Sequence, residues 1–435
     1  MLRKRLQLGL LHVAVAMTLV PINSTLNRVM IKDLAISATL VAALASLPYL
    51  FSPIQMAIGS FSDRNPIFGL RRTPFILLGL LLCVVGVVVA PQVAYLLSRN
   101  FWLGIGAGLL AFGAWGMGYN FAAVSYLSLA SELSGEKGRS RTIAVMFTMM
   151  IVAIIATSIS LSHMLAEYNP EALNQAFLAV GLAALSLGLL GAIKLEPRHA
   201  GADAPVEERR SWGSMFRALT GNKQATRFFW YLMLLLVAIL GQDVLLEPYG
   251  AEAFGLSVQA TTRITSIWGT TFLLSLTAGG ALENRVSKLT QARVGAWSGV
   301  VSFALIVAGG AMGSLNVFYL GVVLLGLATG LATVSNLSLM LDMTVGSQVG
   351  LFVGMWGIAN AASRLLGNVL GGAVRDGVTQ VTGNAVGGYA VVFVIEALLL
   401  LASLALLRQI DVGQFRQMAE ASLPYAERAA LAGEG

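Results

Sequence analysis

The chain has 435 residues, of which 57% are apolar and 11% charged, with 47 glycines, a net charge of +7 and a mean hydropathy of +0.77. That balance excludes a soluble domain, and the one cysteine, Cys83, excludes an intramolecular disulfide or a cysteine metal cluster, so the chain reads as an integral membrane protein. About twelve spans of roughly 20 to 25 residues consume its length and leave no room for a separate catalytic domain.

The order of elements begins with Met1 to Arg5, a basic start that leads into a long apolar run. That run contains Pro21 and Asn23 and lacks a small-x-small cleavage site, which predicts an uncleaved first helix. Apolar runs are expected at 6–27, 37–60, 73–91, 101–131, 142–163 and 172–194, then at 226–246, 260–282, 292–312, 316–341, 349–373 and 387–408. The fold expected is an all-α membrane protein of twelve transmembrane helices in two pseudo-symmetric six-helix bundles. The bundles occupy 1–194 and 226–409, joined by a polar linker at 195–225 and followed by a tail at 410–435. In that tail, Phe415, Met418, Leu423 and Tyr425 stand among charges, the pattern of a surface-lying or a disordered segment.

Charge sets the orientation. Of the 28 lysines and arginines, 22 fall on one side of the alternating topology and four (Arg28, Lys32, Arg99, Arg375) on the other; Arg263 and Arg364 lie within or near spans. Both termini are therefore expected in the cytoplasm. The basic residues form short clusters and no continuous stripe, which speaks against nucleic acid.

Two offsets indicate duplication. A step of 220 residues sets Leu26-Asn27 on Leu246-Glu247, Leu34 on Phe254, Ile36 on Leu256, Ser37 on Ser257, Gly59 on Gly279 and Asp63 on Glu283. A step of 210 sets Ser125-Tyr-Leu-Ser-Leu-Ala-Ser-Glu132 on Ser335-Asn-Leu-Ser-Leu-Met-Leu-Asp342, which predicts a shorter loop between the third and fourth helices of the second half.

Gly59-Ser-Phe-Ser-Asp63-Arg64, followed by Gly69-Leu-Arg71-Arg72, resembles the loop between helices two and three of the major facilitator superfamily, with Pro66-Ile67-Phe68 interrupting the usual spacing. An acid beside basic residues there can clamp the cytoplasmic ends of the halves, or the loop is only topogenic. Glu132 with Arg139 and Arg141, and Glu283 and Asp342 in the second half, are the companion groups, with the first half supplying most of the cations.

The stretch from Gln242 to Ser257 ends an apolar run with three acids. Asp243 and Glu247 stand one helical turn apart on one face, Pro248 is expected to stop the helix, and Arg263 is placed to neutralise one of them. Arg28 with Asp33 is the counterpart in the first half. Gln242-Asp-Val-Leu-Leu-Glu-Pro-Tyr-Gly, Phe254-Gly-Leu-Ser, Thr261-Thr-Arg263 and Trp268-Gly269 resemble the signature of the PucC/LhaA-type light-harvesting assembly proteins, the bacteriochlorophyll delivery family. Thr25-Leu-Asn27-Arg28-Val-Met-Ile, Gly69-Leu-Arg-Arg-Thr-Pro74 and Gly354-Met-Trp356-Gly357 through Gly371-Gly372-Ala-Val-Arg375-Asp376 are similar to other motifs of that family, and the resemblance runs from about Leu6 to Arg408.

The resemblance implies a (bacterio)chlorophyll or other tetrapyrrole as ligand, and antenna or reaction-centre polypeptides and pigment-synthesis enzymes as partners. The membrane it implies is a plasma membrane, an intracytoplasmic photosynthetic membrane or a thylakoid. Asn27, Arg28, Gln242, Asp243, Glu247 and Arg263 then become either rim ion pairs or a docking point for a partner helix or pigment headgroup. A chlorophyll magnesium needs one axial donor. His12, about 10 Å into the bilayer, is the one histidine well inside a helix, with Asn23, Asn120, Asn336 and Asn360 as further donors beside Asn27 and Gln242. Glu396, midway along the last helix, must be protonated, paired within the chain or covered by a partner.

The central helices appear nearly uncharged until their ends, which disfavours proton-coupled transport of a small polar solute and leaves an apolar or tetrapyrrole cargo open. No nucleotide loop, metal cluster of the chain's own or nucleophile with a base points to an enzyme. An assembly factor and a lipophilic-solute transporter remain the two expectations.

Overall fold

A computed structural model describes residues 2–198, 223–283, 285–342, 349–411 and 413–414, without the side chains of Met56, Glu136, Lys137 and residues 341–355. Most of the expected linker and tail lies outside these residues. The described chain is helical, with one isolated bridge between Ile67 and Leu70. Nine helices among the described residues are long and apolar enough to cross a membrane.

The first helix, α1, runs over Leu2–Asp33 and passes into π-helical turns at Pro21–Leu26 and Val29–Asp33. Next, α2 is a train of short pieces, Ala38–Ala45, Leu47–Leu50, the 3-10 turn Ser52–Ile54 and Gln55–Arg64. Pro48 and Pro53 account for the breaks, because each removes a backbone donor from the ladder. Then come α3 (Thr73–Arg99), α4 (Phe101–Gly135), α5 (Gly138–Met164) and α6 (Pro170–Ala192). Gly135, at φ +62°, turns the chain between α4 and α5.

In the second half, α7 comprises Lys223–Gly241, a 3-10 turn at Gln242–Val244 and Leu246–Phe254. It is followed by α8 (Val258–Ala281), α9 (Lys288–Met312), α10 (Leu315–Asp342), α11 (Val349–Thr382) and α12 (Ala385–Leu407). The expected spans 37–60, 260–282 and 349–373 are not among the nine apolar ones. The first is broken by its prolines, and α8 is diluted by Arg263 and a run of threonines and serines.

Helix termini repeat between the halves as the 220-residue offset leads one to expect. Ser37 caps α2 by accepting from Leu40 N, and Ser257 caps α8 by accepting from Ala260 N. Both α1 and α7 depart from α-helical geometry, α1 at Val29–Asp33 directly before its cap and α7 earlier, at Gln242–Val244. Pro248 does not stop α7; it sits in the first turn of Leu246–Phe254, where its missing N–H costs nothing, and the helix resumes.

Within each half, small residues let backbones meet. A Cβ on Gly118 would lie 2.5 Å from Gly79 O, joining α3 to α4, and one on Gly367 would lie 2.7 Å from Gly241 Cα, joining α7 to α11. Two of the α4 glycines, Gly106 and Gly113, meet nothing within 4 Å. Tyr249 anchors the second half, fully buried among Phe254, Phe318, Tyr389 and Phe393, with its hydroxyl donating to Ile306 O at 3.1 Å.

The halves touch where α1 meets α7 and α8 and along two further seams. In one, α11 presents Arg364, Asn368, Gly372 and Asp376 to α2 at a four-residue interval, one face of the helix. In the other, Ser158 and Ser162 of α5 meet Thr262 O and Arg263 of α8 at 2.6 and 2.9 Å. Gly372 is the tightest point of the first seam, since a Cβ there would lie 2.8 Å from Ala38 O. Backbone cannot move aside as a side chain does, so Gly372→Leu is expected to lower thermal stability in detergent by about 1–3 kcal/mol, whereas Gly377→Leu, which meets open space, is expected to be neutral.

Candidate functional site

The break in α7 and the seam between α2 and α11 converge on one polar group of side chains. Arg364 pairs with Asp243, and its guanidinium lies 5.5 Å from the centre of the Tyr49 ring on α2. Gln242 Nε2 donates to Asp243 Oδ1 at 3.1 Å. The acid and the arginine are 20% and 28% exposed, although Arg364 stands near the midpoint of α11. Asp243 lies about 16 Å short of the end of α7.

This corrects the expected picture of a charge-free interior with acids only at the mouths. The sequence reading ended α7 at residue 246 and left Arg364 unassigned, because its partner is 121 residues away. Arg263 neutralises neither Asp243 nor Glu247; its Nε donates to Ser162 Oγ across the second seam. Glu247 is 5% exposed, and its Oε1 accepts from Thr265 Oγ1 at 2.7 Å. Thr265 in turn meets Ser24 Oγ of α1 at 2.9 Å, so the carboxylate is tied to the first half through a hydroxyl pair.

Farther along is a closed end. Arg28 pairs with Asp33 and reaches Leu256 O at 3.3 Å, Lys32 pairs with Glu252 at 2.7 Å, and Thr25 meets Thr262 at 3.1 Å. Asn27 donates to Asn23 O within its own helix, while its Oδ1 has no partner. Asp376 accepts from Ala38 N at 3.1 Å, Thr39 N at 2.9 Å, and the Ser37 and Thr39 hydroxyls at 2.7 Å each, while Arg375 holds its other side at 3.0 Å. It is an anionic cap supplied by one half to the N-terminus of a helix in the other.

The opposite end, which carries the basic loops, is organised within each half. Arg72 binds Asp63 at 2.6 Å, Glu132 at 2.8 Å and Ser62 at 2.8 Å, all in the first half. Arg64 turns to Ser60, and Arg139 and Arg141 are exposed, away from Glu132. Glu196, absent from the sequence reading, accepts from the backbone N of Arg71, Arg72 and Thr73 and so caps α3. Glu283 pairs with Lys288 at 3.3 Å, and the side chain of Asp342 lies outside the described residues. The expected latch between halves is therefore not formed among the described ion pairs in this conformation, because Asp63, Glu132 and Glu283 each have a cation in their own half.

His12 is buried between the rings of Tyr126 and Phe147, 4.9 and 5.0 Å away, and its Nδ1 has no hydrogen-bond partner. Glu396 is 4% exposed and faces inward onto α7, with Oε1 3.0 Å from the Cβ position of Gly241. Of the three alternatives for this acid, cover by a partner is not needed, since the chain itself covers it. Among the described residues no group of three or more His, Cys, Asp or Glu is placed to hold a metal ion.

A family model described as "PUCC protein" matches residues 25–415, which takes in every seam and the polar cluster. The chain belongs to the PucC family. It is 32% identical over 431 residues to Protein PucC of Rhodobacter capsulatus, covering 93% of this chain and 91% of that one. It is 28% identical over 379 residues to the bacteriochlorophyll synthase 44.5 kDa chain of the same species, covering 85% and 86%. The fold is that of a solved nucleoside transporter, NupG, with a TM-score of 0.73 at 16% identity over 95% of this chain and 99% of that one. This PucC-family chain is thus an integral membrane protein on a major facilitator scaffold.

Asp376→Ala is expected to leave the first-turn amides of α2 without their acceptor, at about 1–3 kcal/mol. Disulfide cross-linking between Lys32→Cys and Glu252→Cys reads this out, with a fall in yield in the Asp376→Ala background; Cys83 is fully buried and leaves little background.

Proposed function

We propose that the chain is a non-enzymatic membrane assembly factor for photosynthetic light-harvesting or other chlorophyll-protein complexes. It holds or hands over (bacterio)chlorophyll, or shields nascent antenna helices while pigment and polypeptide combine. The observation that carries this reading is the family match over nearly the whole chain, together with a relative named as a bacteriochlorophyll synthase chain. In this reading the chain crosses a plasma membrane, its photosynthetic infoldings or a thylakoid twelve times, with both termini in the cytoplasm. Its partners are antenna or reaction-centre polypeptides and pigment-synthesis enzymes.

His12 meets the donor requirement of a chlorophyll magnesium, since Nδ1 is unpartnered. Space is the obstacle: the ring is enclosed, and a macrocycle reaches it only if Phe147, 40% exposed, turns outward. A transporter of a tetrapyrrole or other lipophilic solute is the second reading. It is favoured by the partly exposed Asp243–Arg364 pair midway through the helices, combined with a closed far end.

The deciding measurement is an absorption spectrum of the protein purified from a photosynthetic membrane, with identification of co-purifying polypeptides. Bound tetrapyrrole or antenna polypeptides are expected. A colourless, partnerless protein active in solute counterflow would establish the transporter instead. His12→Phe is expected to lower pigment content several-fold, and unchanged occupancy would remove His12 as the ligand.

A further inference from the structure

Two acids beside the α7 break are enclosed by the chain yet incompletely satisfied. Glu247 and Glu396 are 5% and 4% exposed, and in each the Oε2 atom makes no hydrogen bond. The cations on the elements packed around them are engaged elsewhere. On α11, Arg364 is held by Asp243 and Arg375 by Asp376; on α1, Arg28 by Asp33 and Leu256 O and Lys32 by Glu252; on α8, Arg263 by Ser162. On α9, Lys288 and Arg293 stand in the first two turns, at the basic end. The remaining titratable neighbours are Asp243, Tyr231 and Tyr249 on α7 and Tyr389 on α12, none of which adds positive charge.

An ionised carboxylate in a low-dielectric interior needs a cation or a full set of donors, and otherwise costs several kcal/mol. Among the described residues no group of three or more His, Cys, Asp or Glu gathers there, and a proton neutralises such an acid without any further ligand. We infer that Glu247 and Glu396, flanking Asp243, form a proton-binding site that is loaded while the far end is closed and unloaded as it opens. Each glutamate carries one proton as a neutral acid, and on release the proton passes to water and leaves the carboxylate.

The connection to opening runs through named hydroxyls. Ser24 on α1, Thr265 on α8 and Glu247 on α7 form a chain with spacings of 2.9 and 2.7 Å. Thr265 has a single hydrogen. With Glu247 ionised, Thr265 donates to it and must receive from Ser24; with Glu247 protonated at Oε1, the acid donates to Thr265, which donates to Ser24. A proton carried on Oε1 therefore reverses the polarity of a link between the two halves, and Oε2 is then the neutral carbonyl oxygen of the acid. Loss of that proton also leaves a bare buried charge that only water can solvate, and water enters when the seam parts.

Infrared spectroscopy of the full chain in lipid nanodiscs tests this without reference to pigment. The wild type is expected to show the carbonyl stretch of protonated carboxylic acid near neutral pH, shifted in D2O. Glu247→Gln and Glu396→Gln each lower it, the double variant abolishes it, and Glu283→Gln, at an exposed pair, leaves it unchanged. Cross-linking of Lys32→Cys to Glu252→Cys is expected to fall severalfold as pH rises and to lose that dependence in Glu247→Gln. Absence of the protonated band in the wild type would overturn the inference, which needs no variant to fold; so would a pH-independent cross-link.

Discussion

The arrangement depends on a carboxylate from one half of the chain closing the open end of a helix in the other. The N-terminus of α2 exposes amides that no partner in its own half accepts from, and Asp376 of α11 takes two of them together with two hydroxyls. Because Gly372 and Asn368 lie one and two turns earlier on the same face, the contact extends as a line to Arg364 and the polar cluster, and α11 goes on to meet α2 as far as the turn Ser52–Ile54. The seam thereby joins the capped start of α2 to the polar cluster.

Much of the fold could be read from the sequence because its signals are local. The 220-residue offset aligned Ser37 with Ser257, and both act as helix caps. Apolar runs bounded by glycine and proline gave helix positions to within a few residues in most cases. Where the reading failed, the information was not local. The assignment of α7 ended at a proline that the folded chain places in a first helical turn, so two acids taken to be at a rim sit inside. Pairing by nearness in sequence put Glu132 with Arg139 and Arg141, whereas the loop between α2 and α3 brings Arg72 to it from 60 residues away. Glu196 as a cap for α3 spans more than 120 residues and has no signature that periodicity would register.

The polar cluster also bears on the character of the interior. A chain that only shielded apolar helices would need no ion pair midway through its own bundle, and every buried charge there is paid for by specific partners. Asp243 and Arg364 satisfy each other, yet remain partly exposed, so the interior offers a polar surface as well as an apolar one.

The touching glycines Gly241 and Gly367 carry a mechanical consequence. Where α7 crosses α11, the backbones meet with no side chain interposed, directly before α7 changes helical type. Such a point of contact acts as a fulcrum: a small tilt of one helix about it preserves the crossing while its arms sweep outward. Asp243 stands two residues from that pivot and Glu252 eleven, so the same rotation displaces the rim several times farther than the cluster.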